Sequence, residues 1–462
     1  MINKKTTSYS LIIFTITAII ASVLFSFSLI YSFLISIAWA MVILHRDKAD
    51  VSTLLKKSLK DTLEYKNLFV TIAFIGAIVS MWLSSGAIAT MIYYGFNYIV
   101  GTNFLLFSFL IVAGCALFIG SAVGTFSTIG LILYSIGTVI DIPKEILAGA
   151  IISGAFIADK ISPISGLIVI NLNITATKYN RSLKYSLRTL IPAVLASCMV
   201  YYFLGKEYII LEKTSNLLEI QSQLGYAFNI SPYLFLIPFI ILVMSFLGFK
   251  PLQTIASGVS AGVLFSLFLQ KYTLREIGKF LLFGFSLDTG NEIAELLQGG
   301  GLFNIIDVVI IVACAILLVN ILINSGVINV IIGDFVRAID SPRKLIHRTG
   351  ILSMLLTILT CDQTVGIFLP VKILRERYDK YQIPREILFR TISDTGIVIA
   401  PLLPWNINYL IIVGIIGTGI NFIPYAVFCY ISPAIAMLSG FLYPGKTKHD
   451  PALHATDLAN QI

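Results

Sequence analysis

The sequence predicts an all-α polytopic membrane protein with about 10 transmembrane helices and two re-entrant hairpins, arranged as inverted-topology repeats with broken helices. Hydrophobic residues make up 57% of the 462 positions and charged residues 12%, whereas a soluble domain has roughly 45–50% and 25%. Apolar stretches long enough to cross a bilayer core recur from Ser10 nearly to Tyr443, and several motifs recur at nearly one offset. These observations leave no room for a sizeable soluble domain.

The positive charge of the chain indicates orientation in a membrane rather than a nucleic-acid partner. The formal net charge is +8, but Lys and Arg lie in short loops between apolar runs, as the positive-inside rule describes. The five cysteines are scattered singly in apolar segments, without the spacing of a metal site or a disulfide framework. We therefore expect no nucleic acid and no cofactor.

The first elements along the chain are two apolar segments, 10–27 and 28–44, which we expect to form a hairpin of two spans. A partly amphipathic stretch rich in basic residues follows from Arg46 to Lys66 and places the N-terminus on the cytoplasmic side. The predicted domains are 1–67 (N-terminal hairpin and cytoplasmic stretch), 68–180 (first inverted repeat), 181–303 (connecting spans and a polar segment), 304–442 (second inverted repeat) and 443–462 (cytoplasmic tail).

An internal repeat relates the two halves of the chain. The hexapeptide Ile142–Leu147 (IPKEIL) recurs as Ile383–Leu388 (IPREIL), 241 residues later. Chance recurrence of apolar tetrapeptides could explain a short pair, but not a hexapeptide that contains Pro and Glu. Two shorter pairs recur at offsets of 242 and 240 residues: Val123–Phe126 with Val365–Phe368, and Ser85–Ile88 with Ser325–Ile328.

Loop charge predicts that the two repeats are inverted. In the second half, basic residues flank the apolar stretch Ile351–Val371 on both sides, and its two legs of about ten residues are too short to span. This stretch should be a re-entrant hairpin that enters from the cytoplasm. Its first-half equivalent has one flanking basic residue, Lys144, and should enter from outside. The region 250–303 fits less well, because its Lys271 would lie outside.

Proline interrupts the helix that follows each hairpin. The first repeat has Pro163 between Ser162 and Ser165, and the second has Pro401 and Pro404. Proline removes a helix hydrogen bond, and non-helical backbone at membrane depth survives only where protein or a water-filled cavity satisfies it. Discontinuous helices at corresponding positions of inverted halves point to a binding site near the midplane of the membrane.

Three carboxylates close to these breaks are candidates for ion binding and proton coupling: Asp159, Asp362 and Asp394. An ionised side chain near the bilayer centre costs about 2.5–3.5 kcal/mol on insertion scales, so it is rare without a function. Oxygens of Ser162, Ser165, Thr364 and Asn406 could complete a cation shell. Structural roles stay open, since Asp159 could pair with Lys160 and Asp394 could cap a helix. Lys160 could also act as a counter-charge.

A third polar segment, Ser286–Gly301, is too polar for an ordinary span. Its Asp288 and Glu292, with a glycine run behind them, could form a gating or entry segment. An exposed turn with a short helix explains the same pattern equally well.

These motifs resemble the NhaC family of sodium:proton antiporters. The resemblance runs from about Leu68 to Phe441 and is strongest at Gly149–Ser165, at Asp362-Gln363 and at Arg390–Asn406. It implies Na+ or Li+ exchange for H+ by alternating access in a bacterial inner membrane, with no metal beyond Na+. Where the family usually has Asp after its Ser-Pro-x-Ser run, this chain has Gly166, which weakens the expectation of Na+ in the first half.

The leading hypothesis is therefore a secondary transporter that carries out Na+/H+ antiport in the lipid bilayer, with both termini cytoplasmic. The alternative is a Na+- or H+-coupled carrier of a small organic acid or amino acid, since the family includes malate/lactate exchangers. An enzyme is not favoured, because the sequence has no nucleotide motif, nucleophile elbow or HExxH pair. A homodimer is compatible with the sequence, which gives neither stoichiometry nor oligomeric state.

Overall fold

The computed structural model describes residues 4–25, 27–209, 215–247, 249–287, 297–337 and 339–443. Regular structure in these ranges is helical apart from one antiparallel bridge between Phe285 and Gly299. Among the described residues, 7 helices are long and apolar enough to cross a membrane, or up to 9 if each of two bent pairs is one span. The predicted all-α polytopic membrane fold is confirmed. Most of the shorter helices belong to the hairpins and the breaks.

Three helices form the N-terminal region: α1 (Lys4–Leu24), α2 (Leu29–Arg46) and α3 (Val51–Leu63). The first two pack against each other as the expected hairpin. Helix α3 is the predicted amphipathic stretch, and Asp50 caps it by accepting a hydrogen bond from Thr53 N at 3.2 Å. Its Asp61 side chain accepts a 2.8 Å hydrogen bond from Asn324, so this stretch is docked on the second half of the chain.

The first half contains a helix pair, a hairpin and a broken helix in that order. The hairpin turns after Ile119, and the broken helix is interrupted after Ile161. Its elements are α4 (Lys66–Ser84), α5 (Ala87–Ile99), α6 (Phe104–Ile119), α7 (Ala122–Thr125), a π-helical segment (Phe126–Gly130), α8 (Leu131–Val139), α9 (Lys144–Ala155), α10 (Ile157–Ile161) and α11 (Gly166–Thr175).

The second half repeats that order. Its elements are α17 (Ile306–Asn324), α18 (Val327–Arg337), α19 (Pro342–Thr360), α20 (Gln363–Lys380), α21 (Arg385–Ile392), a π-helical segment (Ser393–Ile397), a 3-10 turn (Ala400–Leu402), α22 (Ile407–Ile416), a second 3-10 segment (Ile420–Tyr425) and α23 (Val427–Phe441). The helix that ends at Leu402 and the helix that begins at Ile407 are bent by 42° at the break.

Backbone conformation repeats at the same offset as the sequence motifs. Eight residues in the left-handed region form four pairs at nearly this offset. The first pair, Gly86 with Gly326, is 240 residues apart, and the other three are 241 apart: Gly120 with Cys361, Asp141 with Gln382, and Ala176 with Gly417. The residues before α7 and α20, Ser121 and Asp362, are also 241 apart, and each caps its helix through a side-chain oxygen. The repeat is therefore a property of the backbone, and its inverted orientation stays a prediction.

The hairpins have longer legs than the sequence predicted. Helices α19 and α20 have 19 and 18 residues rather than about ten. Both helices continue through the charged flanks, where Arg343 and Lys344 begin one leg and Lys380 ends the other. The length of the apolar stretch underestimates the length of the hairpin helices, because a helix extends beyond the bilayer core without any change in its backbone hydrogen bonds. In the first hairpin, the segment Ala122–Val139 is long and apolar enough to cross a membrane.

Helices α12 (Tyr179–Gly205), α13 (Ser215–Ala227), α14 (Leu236–Phe246), α15 (Pro251–Phe268) and α16 (Leu274–Phe283) connect the halves. After α16 the chain returns to α4, where Gly301 N donates to Gly76 O at 2.8 Å. Gln270 Nε2 donates to Ser85 O at 2.9 Å, so the neighbouring Lys271 lies at the end of α4 opposite Lys66. The predicted location of Lys271 on the outer side stays a prediction.

Candidate ion-binding site

The tip of each hairpin packs against the break of the same half. In the first half, Gly120 is left-handed (φ 72°), and a Cβ there would lie 3.0 Å from the backbone carbon of Ile164 in the break. In the second half, Ile407 N donates to the carbonyl of Cys361 at the tip, at 3.2 Å. We call Ser121, Asp159, Ser162 and Ser165 the first half-site, and Asp362, Gln363, Thr364, Asn406 and Asn408 the second half-site.

Equivalent carbonyls in the two hairpins are satisfied by different side chains from the breaks. Ser162 Oγ donates to Leu117 O at 2.7 Å, and Trp405 Nε1 donates to Ile358 O at 2.8 Å. The two acceptors are 241 residues apart, whereas the donors are not equivalent residues. Each hydrogen bond joins a hairpin leg to the break of the same half. A serine hydroxyl makes this contact in the first half, and a tryptophan indole N–H makes it in the second.

In the first half-site, Asp159 lies beside the break and is 6% exposed. Its Oδ1 accepts a hydrogen bond from Ser165 Oγ at 3.2 Å, and the backbone amide of Ala122 at the hairpin tip also faces the carboxylate. The break exists because Pro163 ends the helix after Ile161 and α11 begins only at Gly166. The carboxylate therefore connects the hairpin tip with both sides of the break.

In the second half-site, Asp362 stands at the hairpin tip. It caps α20: its Oδ1 accepts hydrogen bonds from Thr364 N at 3.0 Å and from Thr364 Oγ1 at 3.1 Å. The tip turns through Cys361, a non-glycine residue with φ 58°. Both hydrogen bonds from Thr364 reach Oδ1, and the backbone amide of Gln363 also faces the carboxylate.

Three amide side chains extend the second half-site into the break. Gln363 Nε2 donates to Ile397 O, and its Oε1 accepts from Asn408 Nδ2 at 3.0 Å. Asn406 caps α22, since its Oδ1 accepts from Asn408 N at 3.0 Å. The turn that holds Asn406 contains Pro404 and follows the 3-10 turn that contains Pro401. The two prolines account for the non-helical backbone from 403 to 406.

A buried ion pair joins the two halves between these half-sites. Lys160 Nζ lies 2.7 Å from Asp394 Oδ1, and both side chains have 0% exposure. Lys160 Nζ also donates to Ser432 Oγ at 2.9 Å and lies 5.5 Å from the centre of the Phe428 ring. Arg390 Nε lies 3.8 Å from the other oxygen of Asp394. Two cations thus face one carboxylate, so Asp394 is compensated within the protein, where an unpaired buried charge would be strongly destabilising.

The structure decides between the alternatives that the sequence left open. Lys160 pairs with Asp394 in the opposite half rather than with its neighbour Asp159, and Asp394 lies within a π-helical segment rather than at a helix start. The structure brings Asp159 together with Ser165, and Asp362 together with Thr364. Ser162 donates to a hairpin carbonyl instead of facing the Asp159 carboxylate. These contacts establish where the side chains lie, whereas their roles in ion binding stay predictions.

Sequence reasoning missed several polar partners of the site: Gln363, Asn408, Arg390 and Ser432. Gln363 and Arg390 stand inside the motifs that carry the family resemblance, so those motifs could have identified them. Asn408 and Ser432 have no such signal and are found only through their contacts. The predicted gating residues Asp288 and Glu292 lie outside the described residues.

The two halves meet where four helices begin. Helix α11 of the first half packs against α20 of the second half, and α22 of the second half packs against α7 of the first. All four helices start at a hairpin tip or at a break. Helix N-termini carry partial positive charge and unpaired N–H groups, so the region suits the carboxylates that lie in it and other anionic groups.

Comparison with known proteins supports a transport function. A family model described as the Na+/H+ antiporter family matches residues 166–443. The chain is 29% identical to the Na(+)/H(+) antiporter NhaC of Bacillus subtilis over 81% of this chain and 83% of that protein. It is 27% identical to the Na(+)/H(+) antiporter NhaC of Alkalihalophilus pseudofirmus over 83% of each chain. It is also 27% identical to a malate-2H(+)/Na(+)-lactate antiporter of Bacillus subtilis, over 80% of each.

Proposed function

The chain belongs to the Na+/H+ antiporter family, and on that premise we propose that it exchanges Na+ or Li+ for H+ across a bacterial inner membrane, with both termini cytoplasmic. One observation carries the proposal: two buried or half-buried carboxylates, Asp159 and Asp362, stand at helix interruptions that recur in both halves. Interruptions of this kind in repeated halves are typical of secondary transporters.

Competition at these carboxylates would give the exchange. A carboxylate in a site of low dielectric constant is costly when ionised and uncompensated, so it binds either a metal cation or a proton. At Asp362 we place the exchanged ion on Oδ2, because both hydrogen bonds from Thr364 reach Oδ1. In Asp159, the Ser165 hydroxyl could rotate from the carboxylate to a bound cation. Binding of one ion would release the other, which is the chemistry of antiport.

The Lys160–Asp394 pair has a different role in this proposal. Asp394 already has a cationic partner at 2.7 Å, so it needs no transported cation for charge compensation. We assign Lys160 as its resident counter-charge and the pair as a link between the broken helix of the first half and the π-helical segment of the second. Alternating access would move the hairpins and breaks about this link.

A second candidate function is the coupled carriage of a small organic acid or amino acid. Gly166 favours it: a Cβ at this position would meet none of the described residues within 4 Å. Gly166 is exposed and has no side chain, so it supplies no oxygen to the first break. Binding of Na+ there would need such an oxygen, whereas an organic solute would not depend on it.

Proton movement in proteoliposomes with a trapped pH dye tests the proposed function. Na+ or Li+ alone should change the internal pH, while K+ should not. Asp159→Asn and Asp362→Asn should each abolish the response, because an amide cannot exchange a proton for a cation. Asp340→Asn is the matched control, since Asp340 is exposed and pairs only with Lys344 among the described contacts. Normal exchange by either buried variant would remove that residue from the mechanism.

A further inference from the structure

The N-terminus of α22 holds a buried hydrogen-bond donor that has no partner among the described residues. Asn406 has 0% exposure, and its Nδ2 accounts for one of the unpaired buried side-chain nitrogens. Helix α22 has 10 residues and begins directly after Asn406. Leaving such a donor unpaired costs about 1–3 kcal/mol, so a native structure that keeps it calls for an explanation.

The orientation of the Asn406 amide follows from its hydrogen bonds. Oδ1 accepts from Asn408 N at 3.0 Å and from Asn408 Nδ2 at 3.1 Å. Rotating the amide by 180° would place an NH2 group against two donors and remove the cap of α22. The free atom is therefore the nitrogen, and it lies at the helix N-terminus.

An N–H donor at a helix N-terminus recognises an acceptor, not a metal ion. The first turn of α22 adds further backbone N–H groups and the positive end of the helix dipole. Of the residues that the sequence proposed as cation ligands, Asn406 is thus unsuited to that role, since its oxygen is already engaged. The ligand that fits here carries an oxyanion.

Charge around the second half-site also favours such a ligand. The buried cations Lys160 and Arg390 together face a single carboxylate, Asp394, which leaves that cluster with a formal charge of +1. Asp362 supplies one negative charge at the hairpin tip, where the proposed function places a cation. A carboxylate and a monovalent cation would enter this region together as a neutral pair.

We propose that Asn406 and the N-terminus of α22 bind the carboxylate of a small organic solute, beside a cation at Asp362. This subsite deepens the second candidate function and shares only Asp362 with the proposed Na+/H+ exchange. Recognition would depend on the carboxylate rather than on the solute's skeleton.

Binding to the purified full-length protein tests the subsite. L-lactate, L-malate and L-alanine are titrated by calorimetry in NaCl, and L-lactamide is the matched probe that lacks the carboxylate. We expect at least one of the three acids to bind and lactamide not to bind. Asn406→Ser keeps an oxygen cap but replaces the amide NH2 by a hydroxyl on a shorter side chain, so the acid should bind about tenfold more weakly. Asn406→Asp also adds a negative charge, so binding should be lost.

Asn103→Asp is the matched control. Asn103 is also an N-cap asparagine, its Oδ1 accepts from Leu106 N at 3.1 Å, and it lies at the start of α6 away from both half-sites. This variant should bind the acid as the wild type does. If none of the three acids binds, or if binding survives in Asn406→Asp, the subsite is refuted. Na+-driven proton movement that persists in that case would leave the proposed antiport standing.

Discussion

The first and second half-sites share a backbone but not their chemistry. Positions 241 residues apart have the same turns and caps, yet Ser121 stands where the other half has Asp362, and Ala400 stands where the first half has Asp159. Arg390 and Asp394 correspond to Gly149 and Ser153. The acids therefore lie in the break of one half and at the hairpin tip of the other. The repeat supplies two similar scaffolds, and the substitutions give them different side-chain chemistry.

The Lys160–Asp394 pair is the largest break in the symmetry, because Pro401 and Ser153 replace it in the equivalent positions. Lys160→Met would leave Asp394 buried with Arg390 at 3.8 Å as its nearest cation, and should lower the free energy of unfolding by about 3–5 kcal/mol. Lys160→Met with Asp394→Asn should recover part of this loss. Denaturation in detergent measures both, and Lys344→Met in the exposed Lys344–Asp340 pair, expected to cost under about 1 kcal/mol, is the control.

The hairpin tips give the next largest contrast. Gly120→Ala would place a Cβ 3.0 Å from the backbone of Ile164 in a left-handed conformation, and should destabilise the protein by about 2 kcal/mol through strain and displacement of the break. Cys361→Gly at the equivalent tip should change stability by less than about 1 kcal/mol, because the free adoption of this φ by glycine offsets the loss of the buried thiol. Equal losses in thermal unfolding would contradict the different packing of the two tips.

Introducing an acid at position 166 tests whether the first break contributes to Na+ affinity. Gly166→Asp has room for its side chain, so the fold should tolerate it. A second carboxylate near Asp159 should strengthen Na+ binding by about 1.4 kcal/mol, which lowers the half-maximal Na+ concentration about tenfold. Dye-monitored exchange over a range of Na+ concentrations measures this, with Gly419→Asp as a control that also meets none of the described residues. An unchanged Na+ requirement would mean that the first break does not bind the cation.

The smallest expected effects concern the equivalent carbonyls of Leu117 and Ile358. Ser162→Ala and Trp405→Phe each remove the side-chain donor to one of them. Each should cost about 1 kcal/mol in unfolding free energy, the usual value of a single hydrogen bond. Comparing the two variants by chemical denaturation shows whether both halves are held with similar strength, and a loss in only one would show that water satisfies the other carbonyl.

Much of the fold could be read from the sequence because its signals are local. Proline removes a helix hydrogen bond, and Pro163, Pro401 and Pro404 stand at the two breaks. Apolar composition favours membrane spans over a soluble core. The recurring hexapeptide placed the two halves in register, and the left-handed turns follow that register. Hairpin legs were underestimated because charged residues extend a helix past the membrane core as readily as apolar residues do.

The partners of the charged side chains depended on the tertiary structure. Asp159 and Lys160 are adjacent in sequence, but successive side chains on a helix point about 100° apart. Asp159 therefore faces the hairpin tip of its own half, and Lys160 faces Asp394 in the other. The free Asn406 nitrogen arises in the same way, from how the break folds back on Asn408. Sequence alone determined the repeated scaffold, its breaks and its acids, whereas packing between the halves decided which charges are paired and which donors stay open.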